Sequence, residues 1–306
     1  MTALFSTLDQ MLFLFLCMLA GFLLNKLKLL PENAGTTISK LENYIFVPAL
    51  VISSFKKNCT FENLSASWTL IIYCAVLMTI NIAIAIPLGK AFAESEEVVG
   101  IYRYSFSITN CGFMGNALVI GLFSNEMLFR YLIFCLPANI FIYSLGMVWL
   151  TAGKEKFSPK MLLNPAFVCV FIGILLGLTQ IPFPSFVDKA FSACSNCFSP
   201  VAMILTGFVI GKFDLKELFA NKRIYLVTLI RIIIMPLIFF ALSGLLGLPE
   251  DVRTIILIFS AMPLGLGTIV FPAAYGGDER PGASMAVISN LIGIITVPLM
   301  LSLVIH

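Results

Sequence analysis

The chain has 306 residues, 59% of them hydrophobic and 11% charged, with a mean hydropathy of +1.01. Soluble domains carry about 25% charged residues, so this composition excludes a soluble globular domain and implies an integral membrane protein. The net charge of +3 gives no support to nucleic-acid binding, and the 19 basic residues are informative by position rather than by sum.

Residues 1–10 contain no Lys or Arg ahead of the first apolar run. They lack the basic region of a cleaved signal peptide, and the run is expected to be a retained first span. A span needs about 20 apolar residues, which predicts ten: 8–29, 36–55, 67–90, 98–123, 128–151, 163–180, 186–210, 222–247, 252–275 and 281–304. With the N-terminus outside, 13 basic residues fall in cytoplasmic loops and 5 in outer ones, leaving Arg231 inside a span. The excess of positive charge on the inner side favours both termini outside and a multi-pass protein of the plasma membrane. Asn58-Cys59-Thr60 and Asn63-Leu64-Ser65 fall in an outer loop and match the glycosylation triplet.

Eight cysteines lie mostly in apolar segments, where they act as small hydrophobes. Cys194 and Cys197 form a lone CxxC with no second pair, and the single histidine is His306. The sequence therefore points to no metal and no cofactor.

The two halves, 1–151 and 152–306, read as related five-span repeats in one membrane domain. Gly21 and Gly173 are 152 positions apart, Pro48 and Pro200 are 152 apart, and Phe106-Ser107 maps onto Phe259-Ser260 at 153. An odd number of spans per repeat inserts the halves in opposite orientations, the inverted-repeat plan of secondary transporters.

Within the fourth predicted span, residues 105–117 read SFSITNCGFMGNA, a polar, glycine-punctuated stretch with poor helix propensity. Its groups are tolerated in a bilayer only against protein or a water-filled cavity. The same offset carries it onto residues 260–268, SAMPLGLGT, where a mid-span Pro263 and two glycines again predict a break. Two broken helices crossing at the bilayer centre present half-helix N-termini to an anion and free carbonyls to a cation.

Asn110-x-Gly112-Phe113-x-Gly115, preceded by Tyr44-Ile45-Phe46-Val47-Pro48-Ala49-Leu50 and followed by Asn164-Pro165, resembles the auxin efflux carrier family. That family includes bacterial malate and malonate permeases and the plant auxin carriers, and the resemblance runs from the first span to the last. It implies an all-α integral membrane fold of ten transmembrane helices in a 5+5 inverted repeat, with crossing broken helices in spans four and nine. It also implies elevator-like alternation of access, transport of small organic anions and a homodimer in the lipid bilayer. Where members commonly carry a proline two residues after the second glycine, this chain has Ala117. Gly112, Gly115 and Asn116 are then expected to loosen the helix in its place.

The substrate is expected between the two breaks, on the amides of Asn110 and Asn116 and the backbone N–H groups near Gly112, Gly115 and Gly265, with Thr109, Ser260, Pro263 and, from the second span, Asn43 contributing. Arg231 has two readings: a charge that attracts an organic anion, or a side chain that snorkels near the inner end of a longer helix beginning about Tyr225, bound to headgroups or carbonyls. Asn81, Asn139 and Asn290 read as interhelical hydrogen bonds. All 16 acidic residues fall in loops or near span ends, with Glu42 and Asp188 the nearest to spans two and seven. A uniporter or electrogenic anion carrier fits this distribution. A sodium-coupled symporter of bile-acid carrier type and a non-transporting receptor are the alternatives. Catalysis has no support, since the chain lacks HExxH, GxSxG and a carboxylate pair.

Overall fold

In a computed structural model, which describes residues 2–153, 165–274 and 278–304, the protein is helical, with 83% of the described residues in helices. Lys154, Lys156, Lys160, Asn164 and His306 lie outside the described residues.

The helices are α1 (Thr2–Lys26), α2 (Ala34–Leu41), α3 (Val47–Asn58), α4 (Phe61–Phe92), α5 (Val99–Ser107), α6 (Asn116–Leu122), α7 (Asn125–Phe134), α8 (Leu136–Phe141), α9 (Met147–Leu150) and α10 (Pro165–Thr179). They continue with α11 (Ser185–Ile210), α12 (Leu215–Ala220), α13 (Lys222–Leu229), α14 (Met235–Leu245), α15 (Glu250–Ala261), α16 (Gly267–Ala274) and α17 (Arg280–Leu301). Among the described residues six are long and apolar enough to cross a bilayer: α1, α4, residues 99–122, α11, residues 222–245 and α17. The α7 to α9 run makes a seventh if its 43° bend is included, and α10 is a shorter apolar helix. The protein is therefore a multi-pass membrane protein. Residues 36–55 and 252–275, both predicted spans, are helical but interrupted.

Among the described residues four of the interruptions are π-helical turns, and proline explains two of them. In the turn Glu42–Phe46 the N–H of Val47 reaches back to the Glu42 carbonyl, and Pro48 follows. In the turn Ile230–Ile234 the N–H of Met235 reaches the Ile230 carbonyl, and Pro236 follows. A proline removes one ladder donor and crowds the preceding turn, and a wider i→i+5 turn takes up the excess residue.

Helices α1, α3, α10 and α11 pack together, α1 along α11 and α3 against both α10 and α11. Helix α2 packs on α11, and the remaining helices surround α4, α5, α15 and α17, meeting the first group where α1 touches α17 and α6, α3 touches α7, and α11 touches residues 111–115. Glycine lets α1 and α11 approach closely: a Cβ on Gly21 would sit 1.9 Å from the Ile204 carbonyl oxygen, and one on Gly207 1.7 Å from that of Met18. Such small-residue contacts replace hydrophobic driving force in a bilayer.

Two ends of the bundle are distinguished by their polar contacts. At one, the Lys26 ammonium donates to the Phe213 carbonyl at 2.8 Å. At the other, Lys56 pairs with Asp188 at 2.7 Å, Asn58 donates to the Asn125 carbonyl, and Arg130 pairs with Asp251. This grouping puts the predicted inner loops at one end and the predicted outer loops at the other.

Candidate functional site: two meeting breaks

The first break begins where α5 stops at Ser107. Ile108 is extended, with φ −134° and ψ 148°, and Asn110 has left the helical region at φ −76° and ψ 51°. A π turn, Cys111–Gly115, then leads into α6. The helix thus opens one turn before the glycines rather than at them. What opens it is tertiary, since Asn110 donates its backbone N–H to the Pro263 carbonyl at 2.8 Å and Thr109 donates its hydroxyl to the Phe259 carbonyl at 2.6 Å.

The second break runs from Met262, with ψ 144°, to the start of α16 at Gly267. Pro263 has no N–H, so the carbonyl four residues earlier, that of Phe259, is left without its ladder donor. Thr109 of the first break supplies it. Leu264 donates its N–H to the Ser289 hydroxyl at 3.0 Å, and its carbonyl accepts from the Asn290 amide at 3.4 Å. Each break is held open by bonds to the other break or to α17.

The structure brings most of the expected residues together here. Gly265 lies against Asn110, whose Cα, Cβ and Cγ would all be 3.3 Å from an added Cβ. Gly112 is exposed with open space beside it, whereas a Cβ on Gly115 would stand 2.1 Å from the Tyr131 hydroxyl, which itself donates to the Cys111 carbonyl. Gly112 therefore leaves room, and Gly115 makes room for a tyrosine. The Ser260 hydroxyl bonds back to the Ile256 carbonyl within α15. Asn43 is not brought to the breaks through its side chain, which donates to the Ser39 carbonyl one turn earlier in its own helix.

The Arg231 side chain is 0% exposed. Its Nη1 donates to the Ser260 carbonyl at 3.1 Å, and it stands within electrostatic range of Cys111 in the first break. Among the described residues its Nε and Nη2 meet no hydrogen-bond partner, and neither do Asn110 Nδ2 and Asn116 Oδ1. A buried, unsatisfied guanidinium is expensive. An anion accepting from Arg231 and Asn110 would satisfy three of these donors.

The sequence reading of the three other asparagines divides. Asn290 bonds across to Leu264; Asn139 donates to the Cys135 carbonyl within its own helix; Asn81 is fully buried and meets no partner among the described residues. Ser289 was not singled out by the sequence. A serine on an apolar helix gives no local sign that it faces a broken neighbour. Glu42, near the end of the second predicted span, is fully buried.

Residues 6–161 and 154–301 each match the model of a family described as a membrane transport protein. The chain belongs to this family. It is the auxin efflux, PIN-like family that the motifs resemble. An uncharacterized transporter of Methanocaldococcus jannaschii is 25% identical over 308 residues, covering 95% of this chain and 97% of the relative. An uncharacterized transporter of Methanothermobacter thermautotrophicus is 20% identical over 295 residues, covering 95% and 96%.

Proposed function

We propose that this membrane transport protein is a secondary carrier of small organic anions, mono- or dicarboxylates or auxin-like acids, bound at the meeting point of the two breaks. The observation that carries the reading is the Arg231 guanidinium, fully buried beside the breaks with two nitrogens free and the Asn110 amide also unsatisfied. A carboxylate accepts two parallel N–H bonds from a guanidinium. An Arg held in place by the Ser260 carbonyl offers that geometry before substrate arrives.

Ten spans in a 5+5 inverted repeat are the architecture we assign. In support, Gly21 of α1 packs on α11 while Gly173 of α10 packs on Phe55 of α3. The first helix of each half thus lies on the second helix of the other, as an inverted pair requires. Elevator-like access follows if the group holding both breaks moves against α1, α3, α10 and α11, with both termini outside the plasma membrane and a homodimer as the assembly.

The test is uptake of radiolabelled malate, malonate and indole-3-acetate into proteoliposomes. Wild type is expected to move at least one of them, and Asn110→Ala to lower its rate about ten- to a hundredfold, the worth of one hydrogen bond to a charged group. Full activity of Asn110→Ala together with Arg231→Gln removes the breaks as the site.

A further inference from the structure

Glu42 opens the π turn that precedes Pro48, and its side chain is 0% exposed. Both carboxyl oxygens are buried and meet no hydrogen-bond partner among the described residues. The turn lies eight residues into the helical run that begins at Ala34, roughly 12 Å along it at 1.5 Å per residue. No role in the anion site described above uses this group.

The elements that pack closely on the turn are α2, α3, α10 and α11. Their charged and titratable groups are few. On α2 there is Lys40, exposed and only two positions away, a spacing that does not put two side chains on one helix face. On α3, Lys56 and Lys57 lie 14 and 15 positions further on, about 21 Å or more along the axis, and Lys56 is engaged by Asp188. On α11, Asp188 and Lys189 stand at that same distant end, and the remaining groups are the thiols of Cys169 on α10 and Cys194 and Cys197 on α11. None of these cations is positioned as a counter-ion. A bare carboxylate with neither cation nor donor is strongly disfavoured in such surroundings, and the group neutralises instead.

We propose that Glu42 is a proton-binding site of the carrier, holding its proton in this conformation and releasing it to water when the helix groups shift, so that a proton accompanies the anion. This rests on the carrier reading above. The step is a proton transfer only: the carboxyl O–H bond breaks and the proton passes to water, with the reverse on reloading. A metal cation would need several oxygen ligands around it, whereas a proton needs one carboxyl oxygen. The turn is also connected to the site: it packs on α11, and α11 carries Phe198, whose ring centroid is 6.1 Å from that of Phe113 in the first break. π turns of this kind occur frequently at functional positions.

Two measurements test the proposal. Infrared difference spectra of wild type and Glu42→Gln in lipid at neutral pH are expected to show a protonated carboxyl band in wild type that the variant lacks. No Glu42-dependent protonated band overturns the proposal, and it does so whether or not any substrate is ever found. Second, phosphatidylcholine–phosphatidylglycerol proteoliposomes with trapped pyranine are given malate, malonate or indole-3-acetate. Wild type is expected to carry protons with the anion and to accumulate it about tenfold per imposed pH unit for one proton. Glu42→Gln, an isosteric mimic of the protonated state, is expected to keep anion exchange and lose the dependence on the pH gradient. Anion uptake by wild type with no proton movement, or uptake driven by a sodium gradient alone, overturns proton coupling and leaves the carrier reading standing. Wild type that moves none of the anions overturns the carrier reading and the coupling that rests on it.

Discussion

Asn110 donates its backbone N–H to the carbonyl of Pro263 at 2.8 Å, and the two residues are separated by the same 153 positions that relate Phe106 to Phe259. Residues that the sequence offset pairs are thus bonded to one another. Corresponding residues can touch only near an axis that exchanges the halves, so the bond is what the proposed inverted repeat requires of a site on its axis. Gly265, which stands 153 positions after Gly112, lies against Asn110, whereas Gly112 has open space beside it.

The Thr109 hydroxyl occupies the Phe259 carbonyl because Pro263 cannot. Thr109→Val keeps the shape and leaves that buried carbonyl bare, at a cost of about 1–3 kcal/mol. Thermal denaturation in detergent should show the loss, and Thr109→Ser should recover most of it. Pro263→Ala supplies the missing N–H within α15, competes with Thr109 and favours a straighter helix. Its stability should hold or rise while anion uptake falls, and a variant with unchanged uptake would show that the sharpness of the second break is immaterial to transport.

Gly112 and Gly115, alike in the sequence, should respond oppositely to the same substitution. Gly115→Ala drives a methyl into the Tyr131 hydroxyl at 2.1 Å. Overpacking of this sort costs about 1–3 kcal/mol, and Tyr131→Phe in the same chain should restore part of it by removing the obstructing oxygen. Gly112→Ala meets nothing within 4 Å and should fold normally. If Gly112 borders the anion site, its alanine variant raises the KM for uptake without lowering the melting temperature; equal melting temperatures for the two variants would contradict the packing described.

Much of this fold is legible in the sequence because membrane spans announce themselves by length and apolarity. The limits of α11 fall within one residue of expectation on those grounds alone, and those of α1 and α4 within six. Pro263 and the polar run at 105–117 also gave the positions of the two breaks, since a missing donor and unsatisfied side chains are local signals. The contribution of Thr109 to a carbonyl 150 residues away is not local, and neither is the burial of Arg231. Snorkelling and inward orientation differ by a rotation about the helix axis, which neither composition nor spacing of that helix fixes. The burial of Glu42, few residues from a loop, is likewise set by the helices packed on its turn and not by its local sequence.

Outside the spans, Asp278 accepts from Arg280 through Nε at 2.9 Å, Nη2 at 3.1 Å and the backbone N–H at 3.1 Å, and the side-chain bond holds its carboxyl below the ordinary aspartate value. A depressed carboxyl stabilises the folded state above the unfolded value of about 3.9, and that contribution is lost as pH falls through the folded value. Arg280 is 69% exposed, so solvent screens the pair and the effect at neutral pH should be small. Asp278→Asn should accordingly melt slightly below wild type at pH 7 and converge with it as the pH approaches 2. A gap that widens on acidification contradicts the assignment.

Arg231 sets function against stability. The charge is fully buried with one hydrogen bond, to the Ser260 carbonyl, and two nitrogens unsatisfied among the described residues. Replacing buried charges by apolar side chains of similar volume is often neutral or stabilising by about 1–4 kcal/mol. Arg231→Met is therefore expected to match or exceed wild type in melting temperature while losing anion uptake. Arg231→Lys keeps the charge but gives up the planar fork, so it should retain uptake with a raised KM and tolerate the loss of one substrate carboxylate oxygen better than wild type does. Adding a transported carboxylate should raise the melting temperature of wild type and leave Arg231→Met unmoved, since only a protein that binds the anion is stabilised by it. If Arg231→Met were instead strongly destabilised and still responsive to carboxylate, the arginine would be a structural clasp on the Ser260 carbonyl, and the anion would have to be held by the amides alone.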